Sequence, residues 1–402
     1  MFSPLAGIRV LDFTTSIAGP YCTLILAALG ADVVKIEHPE RGDDTRSWGP
    51  PFWQGESATY LAVNASKRSL ALDVKTPEGL QVALRLAERS DVFVQNMRPG
   101  LAERLGLGFG ALAEGNPRIV YCSIGAFGKA GPLREQPGYD PLMQAAGGIM
   151  SVTGEPGRPP VRAGISVVDQ GTGMWSVIAI LAALRARDQG TGAQLVDASL
   201  YETAVNWLPY QIAGYLGSGK IPQPMGSAIG IVSPYQAFQA RDRWVMLAAG
   251  NDRQFAALCE VLGQPELAGD PRFRTNPDRV ENRETLAELI AERIATADAA
   301  GWLERLAAAG VPAAPVQDLA EVVAHEQTEA LGLLQPLPDA AISDAAISDL
   351  RLVTLPLAVN DDRAAHRSPA PALGEHSAEI LAELGCSEDE IRRLREANVV
   401  RG

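Results

Sequence analysis

A succession of short Val/Ile-rich runs, each followed by a helical pattern, constrains this 402-residue chain more than any other feature. Residues 8–13 (IRVLDF) read as a buried strand, 17–29 as a helix and 32–37 (DVVKIE) as a second strand. The pattern continues through a strand at 70–74, an amphipathic helix over 77–89 with proline in its first turn, and a strand at 91–95. A short helix in RPGLAERLG, strands at 119–125 and in QLVDASL, and a helix over 201–216 follow. Such alternation implies an α/β fold with a parallel, doubly wound, Rossmann-like sheet. Ligands bind such sheets at the carboxyl ends of strands, where Asn96 and Gly125 fall. The first strand–helix turn is TTSIAGP, not G-x-G-x-x-G, so the dinucleotide fingerprint is missing.

The texture changes near residue 218. From 233 to 312, YQAF, WVMLAA and several Ala/Leu/Glu/Arg helices predict a smaller α+β unit. We therefore expect a large domain from 1–217 and 330–402, holding both termini, and a small one over 218–329. Residues 128–160 are rich in Gly and Pro and predict ordered loops over a site. Residues 317–369 are acidic and strand-poor, with an echo (DAAISDAAISD) too short for a structural repeat, and the tail predicts two helices returning to the large domain.

A net charge of −13 argues against nucleic acid and against attraction to anionic membranes. Four of the five lysines (Lys35, Lys67, Lys75, Lys129) fall in the first third, with Arg41, Arg46, Arg68, Arg98, Arg104 and Arg134. A polyanion pocket in an acidic protein is expected there. The scattered Cys22, Cys122, Cys259 and Cys386 suit free thiols in the cytoplasm, and no Cys/His spacing predicts a metal site. The opening residues enter a strand at once, so no signal peptide is expected, and no uncharged apolar run reaches the ~18 residues of a membrane span.

The stretch RAGISVVDQGTGMWSVIAILAALRAR carries the chemistry. Residues 165–168 predict a strand-like entry, and Asp169 an N-cap at the positive end of a long apolar helix, ionised at neutral pH. Backbone N–H groups near Gly171 and Gly173, or in the Gly125 loop, would approach a developing oxyanion; a plain capping role for Asp169 is the structural alternative.

The chain resembles the family III CoA-transferases, the CaiB/BaiF or formyl-CoA transferase family. The likeness runs through LAGIRVLDFT, AGPYCTLILAALGADVVKIEHP, NASKRSLALDVKTPEG, QNMRPG, the Asp169 stretch and PALGEHSAEIL, nearly the whole chain in order. It implies an interlocked homodimer, Asp169 as catalytic nucleophile, and no cofactor beyond the CoA ester. By the same resemblance CoA contacts fall at Ile17, Ala18, Leu72, Lys75, Asn96 and Arg104, with Tyr139 and Asp140 near the thioester. His38 stands where formyl-CoA transferases have arginine; Arg98 and Arg41 are the substitutes the sequence offers. SPYQAF…RWVMLAAGNDRQF resembles succinyl-CoA:glutarate-type members, and the glycine-rich loop of formyl-CoA transferases is missing before it. The implied partners are an acyl-CoA and a small, dicarboxylic acid, with Arg46, Tyr139 and Gln144 as acceptor contacts by position. Two alternatives stand beside this: an α-methylacyl-CoA racemase, and a CoA- or nucleotide-binding module without turnover. The racemases carry His–Asp where Tyr139–Asp140 stands here, and tyrosine is a poor base at neutral pH.

Overall fold

A computed structural model describes residues 2–53, 55–336, 340–342, 345–347 and 351–402. The chain forms two compact units: Met1–Ile149 with Ala163–Ala213 and Glu326–Gly402, and Met150–Arg162 with Gly214–His325.

The first unit is built on β1 (Arg9–Phe13), β2 (Asp32–Glu37), β3 (Lys67–Leu72), β4 (Val92–Gln95), β5 (Val120–Gly125) and β6 (Gln194–Ser199). They pair in the order β3-β2-β1-β4-β5-β6, all parallel, so the winding reverses between β1 and β4. β1 to β5 are buried at nearly every position because helices cover both faces, and Asp12, Lys35, Glu37 and Lys67 are buried there among the apolar residues. On one face α2 (Pro77–Glu88) sets Val82, Ala83, Leu86 and Ala87 against Leu11, Phe93 and Tyr121. Phe13, Phe93 and Tyr121 stack across neighbouring strands with centroids 5.0 Å apart. On the other, α1 (Ala18–Ala28) is buried at every position but Tyr21 and packs against α4 (Val167–Ala186). Two more helices matter below: α3 (Asp140–Ala146) and α5 (Leu200–Asn206).

The second unit pairs β7 (Tyr235–Gln239), β8 (Trp244–Ala248) and β9 (Ala313–Pro315) antiparallel, in the order β9-β8-β7. Helices Asp252–Leu262, Arg283–Ile294 and Ala299–Ala308 close its core around Phe255, Ile290 and Trp302.

The tail returns to the first unit as α6 (Ser377–Glu383) and α7 (Glu388–Glu396), then adds β10 (Val400–Arg401) antiparallel to the outer edge of β3. Three expectations are corrected. Residues 165–168 are not a strand: Ile165 is exposed and Val167 opens α4. The helix expected over 201–216 breaks after Asn206 and restarts as Pro209–Ser218, since Pro209 cannot donate to a continuing helix. The strand-poor stretch holds short hairpins; Ala358–Val359 pairs with Asp362–Arg363 across Asn360 and Asp361, both at positive φ, the left-handed turn these two residue types tolerate. The DAAISDAAISD echo lies partly outside the described residues; within it Ala340–Ile342 pairs with Ala345–Ile347.

Candidate active site

Where the winding reverses, the loops after β1, β4 and β5 converge. They enclose a cavity of ≈ 430 Å³ whose lining includes Ser16, Asn96, Arg98, Gly125, Tyr139 and Asp169. A second cavity of ≈ 410 Å³ shares residues 97–99 and 124–126 with it, making room for an elongated ligand.

Asp169 reaches this cavity from the third residue of α4, and its expected role as N-cap is corrected. Ser166 holds the cap position without a side-chain bond, and the capping carboxylate comes from α3. Asp140 Oδ1 accepts from Val168 N at 2.7 Å and Asp169 N at 3.2 Å, and Oδ2 from Gln144 Nε2 at 2.5 Å. Gln144 Oε1 in turn accepts from Ala163 N at 2.8 Å, so two buried side chains hold the chain that enters the helix. With capping done elsewhere, the Asp169 carboxylate accepts no hydrogen bond from any described residue. It is 9 % exposed, and burial, with the charge of Asp140 beside it, pushes its pKa up to about 7. The expectation of an ordinary, fully ionised carboxylate is thereby corrected: the desolvation cost outweighs the helix dipole.

Gly171 and Gly173 are not presented to the cavity as amide donors. They lie within α4, whose N–H groups serve its own ladder, and they permit close packing. A Cβ on Gly173 would stand 2.8 Å from Ala18 O and 3.1 Å from Cys22 N in α1. One on Gly171 would meet the Trp207 ring at 2.7 Å. Gly125, the other glycine position expected to serve an oxyanion, lines the cavity, as does Gly138.

Ala18, Asn96, Arg98 and Tyr139 are brought together with Asp169. Tyr139, 56 % exposed in this chain, lines the cavity and is not packed into the core. Asn96 clamps the turn after β1, accepting from Thr15 N at 3.0 Å and donating to Thr15 O at 2.8 Å. Ile17 is the N-cap of α1. Lys75 and Arg104 are exposed and lie outside both cavities, and the Leu72 side chain is in the core, leaving only its backbone for a ligand. His38 lines a separate cavity of ≈ 660 Å³ with Arg395 and Arg401. Asp140 faces α4, not the cavity.

Much of the basic first third is spent internally. Lys35 pairs with Asp43, Lys67 with Asp12, Arg46 with Glu37, Arg68 with Asp32, Glu379 and Glu383, Lys129 with Asp197, and Arg134 with Glu135. The buried or half-buried pairs remove Lys35, Lys67, Arg46 and Arg68 from the expected polyanion pocket; Lys129 and Arg134, paired at the exposed surface, line the second cavity, and Arg41, Lys75, Arg98 and Arg104 remain beside them.

The geometry can be set beside known proteins. The profile of "CoA-transferase family III" matches residues 5–377. This chain belongs to CoA-transferase family III. A succinyl-CoA:glutarate CoA-transferase of Homo sapiens is 36 % identical, over 99 % of this chain and 90 % of that protein. A succinate–glutarate CoA-transferase of Agrobacterium fabrum is 40 % identical, over 95 % and 96 %. A CaiB/BaiF family protein of Brucella suis superposes with a TM-score of 0.84 at 39 % identity, covering 96 % of this chain and all of that one. The protein is thus a transferase enzyme, and its α/β fold is that of the family.

Two acceptor contacts expected by position do not reach the cavity of this transferase. Arg46 is bound bidentately to Glu37 at 2.7 and 2.8 Å over the Tyr60 ring, and Gln144 is wholly buried against Asp140. The residues that sequence reasoning missed, Asp44 among the lining and Asp43 behind it, carry no local motif; 136–138 fall within the loops expected over a site, and Lys35, expected in a polyanion pocket, is instead buried behind the cavity wall against Asp43.

Proposed function

We propose that this transferase moves CoA from succinyl-CoA to a small dicarboxylic acid, by way of an Asp169–CoA thioester. The observation that carries the reading is the Asp169 carboxylate: unpartnered, nine-tenths buried and lining a cavity at the sheet's switch point. The carboxylate attacks the acyl carbon and expels CoA thiolate, giving a mixed anhydride. The thiolate then attacks the aspartyl carbonyl, releasing the donor acid and leaving the aspartyl thioester. The acceptor carboxylate attacks that thioester, forming a new anhydride and thiolate, and thiolate attack on its acyl carbon releases the new acyl-CoA and Asp169.

A carboxylate is a weak nucleophile, and desolvation of the kind seen at Asp169 strengthens it once ionised. Binding of the remote parts of CoA supplies the remaining drive. No oxidation state changes, so the cycle needs no redox cofactor. Arg98, the one cation among the described residues lining the cavity, favours an anionic substrate, and the names of the Homo sapiens and Agrobacterium fabrum relatives support a dicarboxylate pair. No histidine lines that cavity among the described residues, which favours transfer over racemisation. We further propose that the enzyme acts in the cytoplasm as a homodimer; its four cysteines are free thiols.

The test is to incubate the protein with a panel of acyl-CoAs, trap with hydroxylamine or borohydride, and locate the adduct by mass spectrometry. Modification of Asp169 by succinyl-CoA and transfer to glutarate-like acids is the expected result. Adducts elsewhere, or reaction with monocarboxylates alone, would sink it. With a 2-methylacyl-CoA in D2O, deuterium at the α-carbon at turnover rate without CoA transfer would establish the racemase instead.

A further inference from the structure

The turn after β1 is bent against its own backbone preference. Ser16 has φ +68°, a left-handed conformation that is unfavourable for a non-glycine residue and persists where its surroundings hold it. Besides the Asn96 clamp on Thr15, two buried side chains grip the turn from behind. Lys35 Nζ donates to Thr14 O at 2.8 Å, and Asp43 Oδ1 accepts from Ser16 N at 3.1 Å. The two are joined at 2.8 Å, and both side chains are fully buried. Asp43 also accepts from Thr45 N and Oγ1, which ties the next loop, and Asp44 with it, to the same wall of the cavity.

A buried ion pair of this kind adds little stability over a well-packed apolar pair. What apolar side chains lack is a donor for Thr14 O and an acceptor for Ser16 N. The turn fixed in this way lines the cavity through Thr15, Ser16 and Ala18, beside α4, which delivers Asp169 and packs against Ala18. It also sets the entry to α1, whose N-cap, Ile17, makes no side-chain bond. We propose that Lys35 and Asp43 are positioning residues of the transfer reaction: through Thr14 and Ser16 they fix the wall that seats the acyl thioester against Asp169. This rests on the reading of Asp169 as the nucleophile.

Two double variants of the full chain test it. Lys35→Met/Asp43→Leu removes both grips, whereas Lys35→Met/Asp43→Asn keeps an acceptor for Ser16 N. The rates are those of exchange between succinyl-CoA and labelled succinate, divided by the folded fraction from near-UV circular dichroism. We expect kcat to fall about 100-fold in the Met/Leu variant and about 10-fold in the Met/Asn variant, with KM within about threefold, as misplacement by about 1 Å would produce. Amide hydrogen exchange over residues 14–18 should quicken in the same order while β4 and β5 are unchanged. A folded Met/Asn variant with wild-type kcat overturns the proposal, whether or not the Met/Leu variant folds. A wild-type protein that gives neither exchange nor an Asp169 adduct with any acyl-CoA overturns the nucleophile assignment and this proposal together.

Discussion

Asp169 titrates where its neighbours make a charge costly, and two measurements follow. Because the attacking species is the carboxylate, kcat/KM should fall about tenfold per pH unit below a limb near pH 7. Asp140→Asn removes the nearby charge but keeps an acceptor for Val168 N, so it should move that limb downward; burial, the larger cause, keeps it above the ordinary carboxylate range. The sign for stability is opposite to that of an ion-paired carboxylate. Between the unfolded value near 4 and about 7 the folded state binds the extra proton. Stability is therefore lost as pH rises through that window, and the penalty is complete above it. Asp169→Asn should be more stable than wild type at pH 8, by up to about 4 kcal/mol, and by less at pH 5. The same protein should transfer no CoA; urea unfolding at both pH values and the exchange assay check the pair. Full transfer by a folded Asp169→Asn protein would remove the catalytic assignment.

At the scale of elements, α1 and α4 meet so closely that a methyl group does not fit. Gly173→Ala should cost about 1–3 kcal/mol despite alanine's better helix propensity, since the obstructing atoms are α1 backbone. Gly171→Ala should cost less, because a Trp207 ring edge can shift. Urea midpoints of the two proteins decide, and equal values would mean that α1 slides freely. The strands and helices of the sheet were legible because their apolar periodicity is local. The capping of α4 was not, since Asp140 stands 28 residues before Val168 and only the fold brings them together. The same distance problem hid the fate of the basic residues: Lys67 finds Asp12 and Arg68 finds Glu383, partners that no spacing announces. Gly171 and Gly173 were visible as glycines, but only packing shows that they admit a neighbouring helix and not a ligand.

For the whole molecule, α4 raises a question of partners. Extended to Thr191, it is the one helix among the described residues long and apolar enough to cross a membrane, yet half of its apolar window is buried in the protein. The other side leaves Met174, Trp175, Ile178 and Leu181 exposed as a stripe, an expanse that calls for cover. We propose that the homodimer interface lies on this stripe. Ile178→Glu should shift the sedimentation mass from dimer to monomer, and a wild-type monomer at micromolar concentration would discard the dimer. The edge of the sheet carries a consequence for synthesis. The outer edge of β3 is covered by the tail: β10 pairs with it, Asp73 N bonds to Val399 O, His376 N donates to Ser69 O, and Ser377 Oγ both accepts from Ala71 N and donates to Arg401 O. A ribosome makes β3 more than 300 residues before that cover, and it makes 214–325, which fold into the other unit, in between. At about 5–20 residues per second, the nascent chain carries an open strand edge for tens of seconds, through the whole translation of the second unit.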